Sequence, residues 1–370
     1  MSTETGRQTG AQLDHSHEDG DSAFGFEGTW QEFAPIAFTN LLLTIVTLGI
    51  YRFWATARER RYLWSRSRFI DERLEWSGTG MELFIGFVLV MVLFLLPFFI
   101  ITNVAQAMML RGQEAVGIAI TLFSFLFIFY LGGVARFRAL RYRLSRTRWH
   151  GIRGGSDNQG WLFGLSYMWK NAVGWLPFGL LIPWSMVSLW NERWSKMSFG
   201  PFDFEANADA GPVFARFLLF YLSPFILFLA AIPLAFAGIA TDLESIEPGA
   251  GFILAMIASI FLFYFGLGLI AVAFYAKFYR VAVGSTRLKR LQFRFGASTM
   301  DWIKLLLGDV LLVVFTLGIG WIFLSYRHWK FFIQHMEASG EVRLDELTQS
   351  TTRTAGHGEG LLDAFDVGAI

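Results

Sequence analysis

The chain has 370 residues, of which 54% are hydrophobic and 16% charged, a balance more apolar than that of ordinary globular domains. It contains no cysteine, which excludes a disulfide framework, thiol catalysis and Cys-ligated zinc or iron–sulfur sites. The formal net charge of +1 excludes little, because the charges are segregated along the chain.

Residues 1–22, MSTETGRQTGAQLDHSHEDGDS, are polar and acidic. They lack a basic start followed by an apolar core, so they do not form a cleavable signal peptide, and their composition predicts a disordered tail. AFGFEGTW (Ala23–Trp30) follows with period-two alternation and Gly punctuation, which predicts a half-buried strand. The same signature returns in RLEWSGTG (Arg73–Gly80), MSFGPFDFEA (Met197–Ala206) and RLQFRFGAS (Arg290–Ser298). These segments are expected to assemble a small β-sheet or set of hairpins.

Between the strands lie apolar stretches. Glu82–Ala107 and Ala115–Ala135 are each long enough to cross a hydrocarbon core, which takes roughly 20 residues, and a short loop joins them. Gly211–Ile239 and Gly251–Lys277 form a second such pair. The 40 Phe and 14 Trp are the excess expected of a chain that meets lipid and its interface. Arg58, Arg60, Arg61, Arg66 and Arg68 flank the first pair on one side, and Arg136, Arg138, Arg141, Arg143, Arg146 and Arg148 on the other. Lys277, Arg280, Arg287, Lys289, Arg290 and Arg294 follow the second pair, whereas its tip carries Asp242, Glu244 and Glu247. The positive-inside rule puts the flanks in the cytoplasm and the tips outside.

Three further apolar stretches remain: Phe33–Ala55, Trp161–Trp190 and Trp302–Tyr326. If each were a simple span, the middle one would force a basic cluster across the membrane, at about 3 kcal/mol for each centrally placed Arg or Lys. The conflict vanishes if all three are re-entrant, entering from the cytoplasm and turning part-way. Each arm then has about 14 residues, roughly 21 Å of helix. The turns fall at Gly49, Gly179 and Gly318, because glycine accepts the left-handed conformation a helix C-terminus needs. Backbone groups freed at the turn would need burial or water, which places the turns inside the bundle.

The three stretches align without gaps on those glycines, pairing Trp54 with Trp184, Arg58 with Arg327 and Trp64 with Trp194. The predicted fold is therefore a predominantly α polytopic membrane protein. It has four spanning helices in two hairpins, three re-entrant helical hairpins and a small cytoplasmic β-sheet. One membrane domain covers 23–347 with three internal repeats (about 23–140, 141–280 and 281–347), and a second tail covers 348–370.

The run TLGIYRFWATARERRYLW, followed by WSGTGMELFIGF, resembles the YjgN-like family of bacterial inner-membrane proteins, a domain of unknown function. The resemblance extends from about Phe24 to about Leu347. It implies a Gram-negative cytoplasmic membrane and carries no activity; the four-span topology is what predicts both termini inside. The middle copy departs from the motif, with Ser188 where the first copy has Arg58.

One position in the first arm is polar in every copy: Asn40, Lys170 and Asp309. Ionisable residues inside hydrocarbon are functional candidates, and a converging cluster would line a pathway for a proton, ion or small solute. The blander expectation is that they only hold the bundle together. Arg58, Arg61 and Arg327, among Trp and Tyr at an interfacial position, are candidate contacts for lipid head groups rather than nucleic acid. His328 and His335 are too few for a metal site, and neither a P-loop nor a strand–helix GxGxxG is present. No metal, cofactor or enzymatic activity is expected. The expected function is movement of a small solute or ion, or alternatively a membrane-organising scaffold that binds lipid or a protein partner.

Overall fold

In the computed structural model, the described residues are 11–13, 22–241, 250–343 and 346–354. Of the tail expected over 1–22, β1 (Ala11–Leu13) pairs with the last strand, and most of the remainder lies outside the described residues.

One order of elements occurs five times: a strand, two helices, and a strand that pairs antiparallel with the first. The first unit is β2 (Phe24–Phe26), α1 (Trp30–Val46), α2 (Arg52–Ser65) and β3 (Ser67–Phe69). The second opens with β4 (Glu72–Arg73) and β5 (Glu75–Trp76), which are separated only at Leu74. It continues as α3 (Gly80–Val90), a π-helical turn at Met91–Leu95, α4 (Leu96–Leu110), α5 (Glu114–Arg146) and β6 (Thr147–Trp149). The third is β7 (Ile152–Gly155), α6 (Trp161–Trp175), α7 (Ile182–Trp194) and β8 (Ser198–Phe199). The fourth is β9 (Phe202–Ala206), α8 (Gly211–Phe217), α9 (Leu219–Thr241), α10 (Ala250–Gly284) and β10 (Thr286–Leu288). The fifth is β11 (Leu291–Phe295), α11 (Thr299–Phe315), a 3₁₀ turn at Ile319–Phe323, α12 (Leu324–His335) and β12 (Met336–Val342).

Tight β-hairpins join consecutive units, at Ile70–Asp71, His150–Gly151, Gly200–Pro201 and Lys289–Arg290. The strands therefore form one antiparallel meander at one end of all five helical pairs. The sheet is not small, as expected, but has a nine-stranded part, β1-β12-β11-β10-β9-β8-β7-β6-β5, and a three-stranded part, β2-β3-β4. It curls so that alternate residues face one another across its interior. The rings of Phe24 and Phe293 lie 6.4 Å apart and those of Phe204 and Phe293 6.3 Å apart. Period-two side chains give each strand an apolar face, and curling buries those faces against each other.

Units also meet through recurring indole contacts. Trp64 Nε1 donates to Thr147 Oγ1 (2.9 Å), linking the first unit to the second. Trp190 Nε1 donates to Thr286 Oγ1 (3.3 Å), linking the third to the fourth. Trp329 Nε1 donates to Ser67 Oγ (2.8 Å), which brings the fifth unit back to the first. There Trp64 and Trp329 stack at 3.9 Å. Phe33 and Tyr326 stack beside them, and the Tyr326 hydroxyl donates to Gly28 O at 2.9 Å.

Among the described residues, three helices are long and apolar enough to cross a membrane: Gly80–Leu110 (31 residues), Glu114–Arg146 (33 residues) and Ile253–Gly284 (32 residues). Four were expected. The fourth, Gly211–Ile239, is broken at Leu218 into α8 and α9, and only Gly211–Ile226 counts as an apolar helix among the described residues. The acidic tip that carries Asp242, Glu244 and Glu247 lies outside them.

Residues 348–354 of the expected C-terminal tail run along β7 and β8. Arg153 N–H donates to Gln349 Oε1 (3.1 Å), Arg353 N–H to Asp157 Oδ1 (3.0 Å), and Arg141 Nη2 to Arg353 O (3.2 Å). Burial, and then the charges of Arg146, Arg148 and Arg141, pull the Arg153 guanidinium below its ordinary pKa.

Candidate functional site

The first, third and fifth units carry short helical pairs of 17 and 14, 15 and 13, and 17 and 12 residues. All three reverse at the glycines expected from sequence, and in the same backbone conformation. Gly49, Gly179 and Gly318 have φ of 92°, 81° and 93°, and the residue before each, Leu48, Phe178 and Leu317, has φ of 52°, 52° and 51°. Two successive left-handed residues stop a helix and turn the chain back.

The Thr of TLGI completes the turn. Gly49 N–H reaches back to Thr44 O (2.7 Å), and Tyr51 N–H is capped by Thr47 Oγ1 (2.9 Å). In the fifth unit Gly318 N–H reaches Val313 O (2.8 Å) and Gly320 N–H is capped by Thr316 Oγ1 (2.6 Å). The donors across these two turns are thus met within the turn itself. In the middle copy Pro177 replaces the Thr, and the Tyr221 hydroxyl of α9 donates to Phe178 O.

This self-sufficiency changes where the turns can lie. They are not inside the bundle. Leu48, Phe178 and Leu317 are 94%, 92% and 93% exposed, and each turn presents an apolar side chain outward at its tip. Where the turn meets its own donors, those N–H groups need neither burial nor water. Thr316→Val is expected to leave Gly320 N–H without an acceptor and to lower stability by about 1–3 kcal/mol. Thr316→Ser keeps the hydroxyl and should stay near wild type. Thermal unfolding in detergent separates the two, and equal stability of both variants would contradict the capping role.

Asn40, Lys170 and Asp309 each lie nine residues before their turn glycine. Each bonds across its own hairpin to the second arm. Asn40 Nδ2 donates to Ala55 O (3.4 Å) and Glu59 Oε1 (3.3 Å). Lys170 Nζ donates to Glu192 Oε2 (2.7 Å) and Ser188 O (3.4 Å). Asp309 takes Arg327 Nε on Oδ1 (2.5 Å) and His328 Nε2 on Oδ2 (2.6 Å). All three polar residues are buried. In place of the expected converging cluster there are three separate pins, one per hairpin. Glu59 also reaches the fifth hairpin, where Ser325 Oγ donates to Glu59 Oε2 at 3.1 Å.

Arg327 is drawn into the third pin and also donates to Leu305 O (3.3 Å), which corrects its expected role at lipid head groups. Arg58 and Arg61 remain exposed on α2. Glu59 and Glu192 escaped the sequence reading, as did the pin role of His328, which was weighed only as a metal ligand. A signal existed for two of them, since Glu59 and His328 lie ten residues after Gly49 and Gly318, opposite a polar residue nine before. Among the described residues no group of three or more His, Asp or Glu is placed to hold a metal ion.

Residues 21–364 match the family described as bacterial protein of unknown function (DUF898). The inner membrane protein YjgN of Escherichia coli K12 is 28% identical over 131 residues, 35% of this chain and 30% of that protein. The YjgN of Escherichia coli O157:H7 is 32% identical over the same shares, and that of Salmonella typhimurium LT2 is 26% identical over 130 residues. The match thus spans about a third of this chain and less than a third of those relatives. No solved structure matches.

Proposed function

This chain belongs to the DUF898 family of bacterial proteins, and we propose that it is a non-enzymatic integral protein of the inner membrane that organises the lipid around it. The observation that carries the reading is the inequality of the helical pairs. Two contain helices of 31–33 residues, and three are about half that length with apolar tips. The long pairs cross the bilayer as four spans. The three short pairs re-enter from the side of the sheet and stop within the membrane. The basic residues at the sheet end support a cytoplasmic position for that side and for both termini. Its partners are membrane lipids and not nucleic acid, and the repeated strand–helix–helix–strand order is one internal unit used five times.

Five helical pairs then occupy the cytoplasmic leaflet and two the outer one. Lipids facing the short pairs must tilt, or the bilayer must thin, because a short hydrophobic segment is accommodated by thinning. The pins support this reading over solute movement. Lys170, Asp309 and Asn40 are each engaged across a single hairpin.

Reconstitution into phosphatidylcholine liposomes tests the proposal. Cryo-electron microscopy should show a thinner or more curved bilayer at the protein, and exchange of labelled lipid between leaflets should accelerate, with no rise in flux of encapsulated ions or solutes. An unperturbed bilayer together with selective solute flux would overturn it in favour of transport.

A further inference from the structure

The interior of the curled sheet holds an apolar chamber that the membrane reading does not use. Its walls include Phe24, Phe69, Trp149, Phe199, Phe204 and Phe293, drawn from β2, β3, β6, β8, β9 and β11. Its cavity volume is about 160 Å³, room for a narrow chain rather than a bulky ligand. The walls are concave strands, so a slender flexible chain fits where a protein surface does not.

The mouth is charged. Lys289 and Arg290 lie in the β10–β11 turn, at the end of the sheet away from the helices. Lys289 pairs with Glu346 and sits 4.2 Å over the Phe202 ring. Arg290 Nη1 meets Glu341 Oε2 at 3.4 Å, and Arg343 lies 3.3 Å from Glu341 Oε1 and 3.5 Å from Glu346 Oε1. Among the described residues of the rim, three cations face two carboxylates. These side chains are a third to a half exposed, and ion pairs of that kind contribute only about 0–1 kcal/mol. An incoming anion can therefore compete for the rim.

We propose that this chamber binds a single acyl chain that carries an anionic head. The chain packs among the phenylalanines, and the head exchanges into the Lys289–Arg290–Arg343 rim. No covalent step is involved. The acyl chain comes either from a free fatty acid in water or from an anionic lipid of the membrane. The proposal stands apart from bilayer thinning, since the chamber lies in the sheet.

The test uses the full chain in phosphatidylcholine nanodiscs and a dansyl-labelled fatty acid as probe. Saturable uptake of one probe per protein is expected, with displacement by oleate. Oleyl alcohol, which lacks the charge, should bind about tenfold more weakly. Lys289→Gln with Arg290→Gln, at an exposed turn that should leave the fold intact, should weaken oleate about tenfold and leave oleyl alcohol unchanged. Phe293→Asp should abolish both. Displacement by phosphatidylglycerol placed in the disc, lost in Phe293→Asp, would make membrane lipid the source; displacement by oleate alone would make it free fatty acid. Absence of saturable uptake by the wild type would overturn the proposal. So would uptake indifferent to the rim variant, or displacement that persists in a folded Phe293→Asp protein.

Discussion

Replacing Arg327 with Met and His328 with Leu in one chain, with Asp309 retained, is expected to destabilise the protein by about 3–5 kcal/mol. The two side chains hold both oxygens of Asp309, at 2.5 and 2.6 Å, and Asp309 is only 7% exposed. Without them a carboxylate is left buried and unpaired, which breaks a desolvated ion pair at its most expensive point. Adding Asp309→Leu should restore most of the loss, since an apolar replacement of a whole buried pair is often neutral or stabilising. Unfolding followed by Trp fluorescence gives the three stabilities and the coupling between the positions. A pathway residue behaves otherwise: Asp309→Leu alone would abolish activity, and the triple variant would regain no stability over the double. Recovery in the triple variant is what a pin predicts.

The Lys170 pin should respond less to the same treatment. Glu192 also accepts Lys196 Nζ at 3.1 Å, so removal of Lys170 leaves that carboxylate with one cation. The Asn40 pin holds no opposite charge, and Asn40→Leu should cost least of the three.

The strand signature was legible where alternate residues were aromatic, as at Phe24/Phe26, Phe202/Phe204 and Leu291/Phe293/Phe295. It was silent at Ser67–Phe69, Thr147–Trp149 and Ile152–Gly155. Those strands are short, basic or glycine-rich, and they are strands because a neighbour pairs with them. The sheet was therefore expected to be smaller than it is. The turn glycines were legible because a left-handed residue is needed wherever a helix reverses. The hydroxyls of Thr47 and Thr316 were not, since a Thr inside an apolar run reads as a β-branched filler until its i+4 N–H is located. That omission put the turns inside the bundle.

Arg327 was misassigned for a related reason. A flanking Arg has the same sequence context whether it meets a lipid phosphate or a carboxylate one helix away. Only the register of α11 against α12 decides, and that register comes from packing. The alignment on Gly49, Gly179 and Gly318 found the three short pairs. The first long pair also turns at a left-handed glycine, Gly112 (φ 82°), but no TLGI-like run marks it, so the fivefold order was hidden.

Cysteine accessibility tests the arrangement most directly, because the chain contains no native cysteine. Single cysteines at Asp71, Pro201 and Lys289 probe three exposed turns of the sheet, and one at Arg111 probes the exposed tip of the first long pair. With a membrane-impermeant maleimide on intact cells and on inverted vesicles, Asp71→Cys, Pro201→Cys and Lys289→Cys should all label only in inverted vesicles, and Arg111→Cys only in intact cells. Labelling of any one sheet turn from the opposite side to the other two would contradict the account.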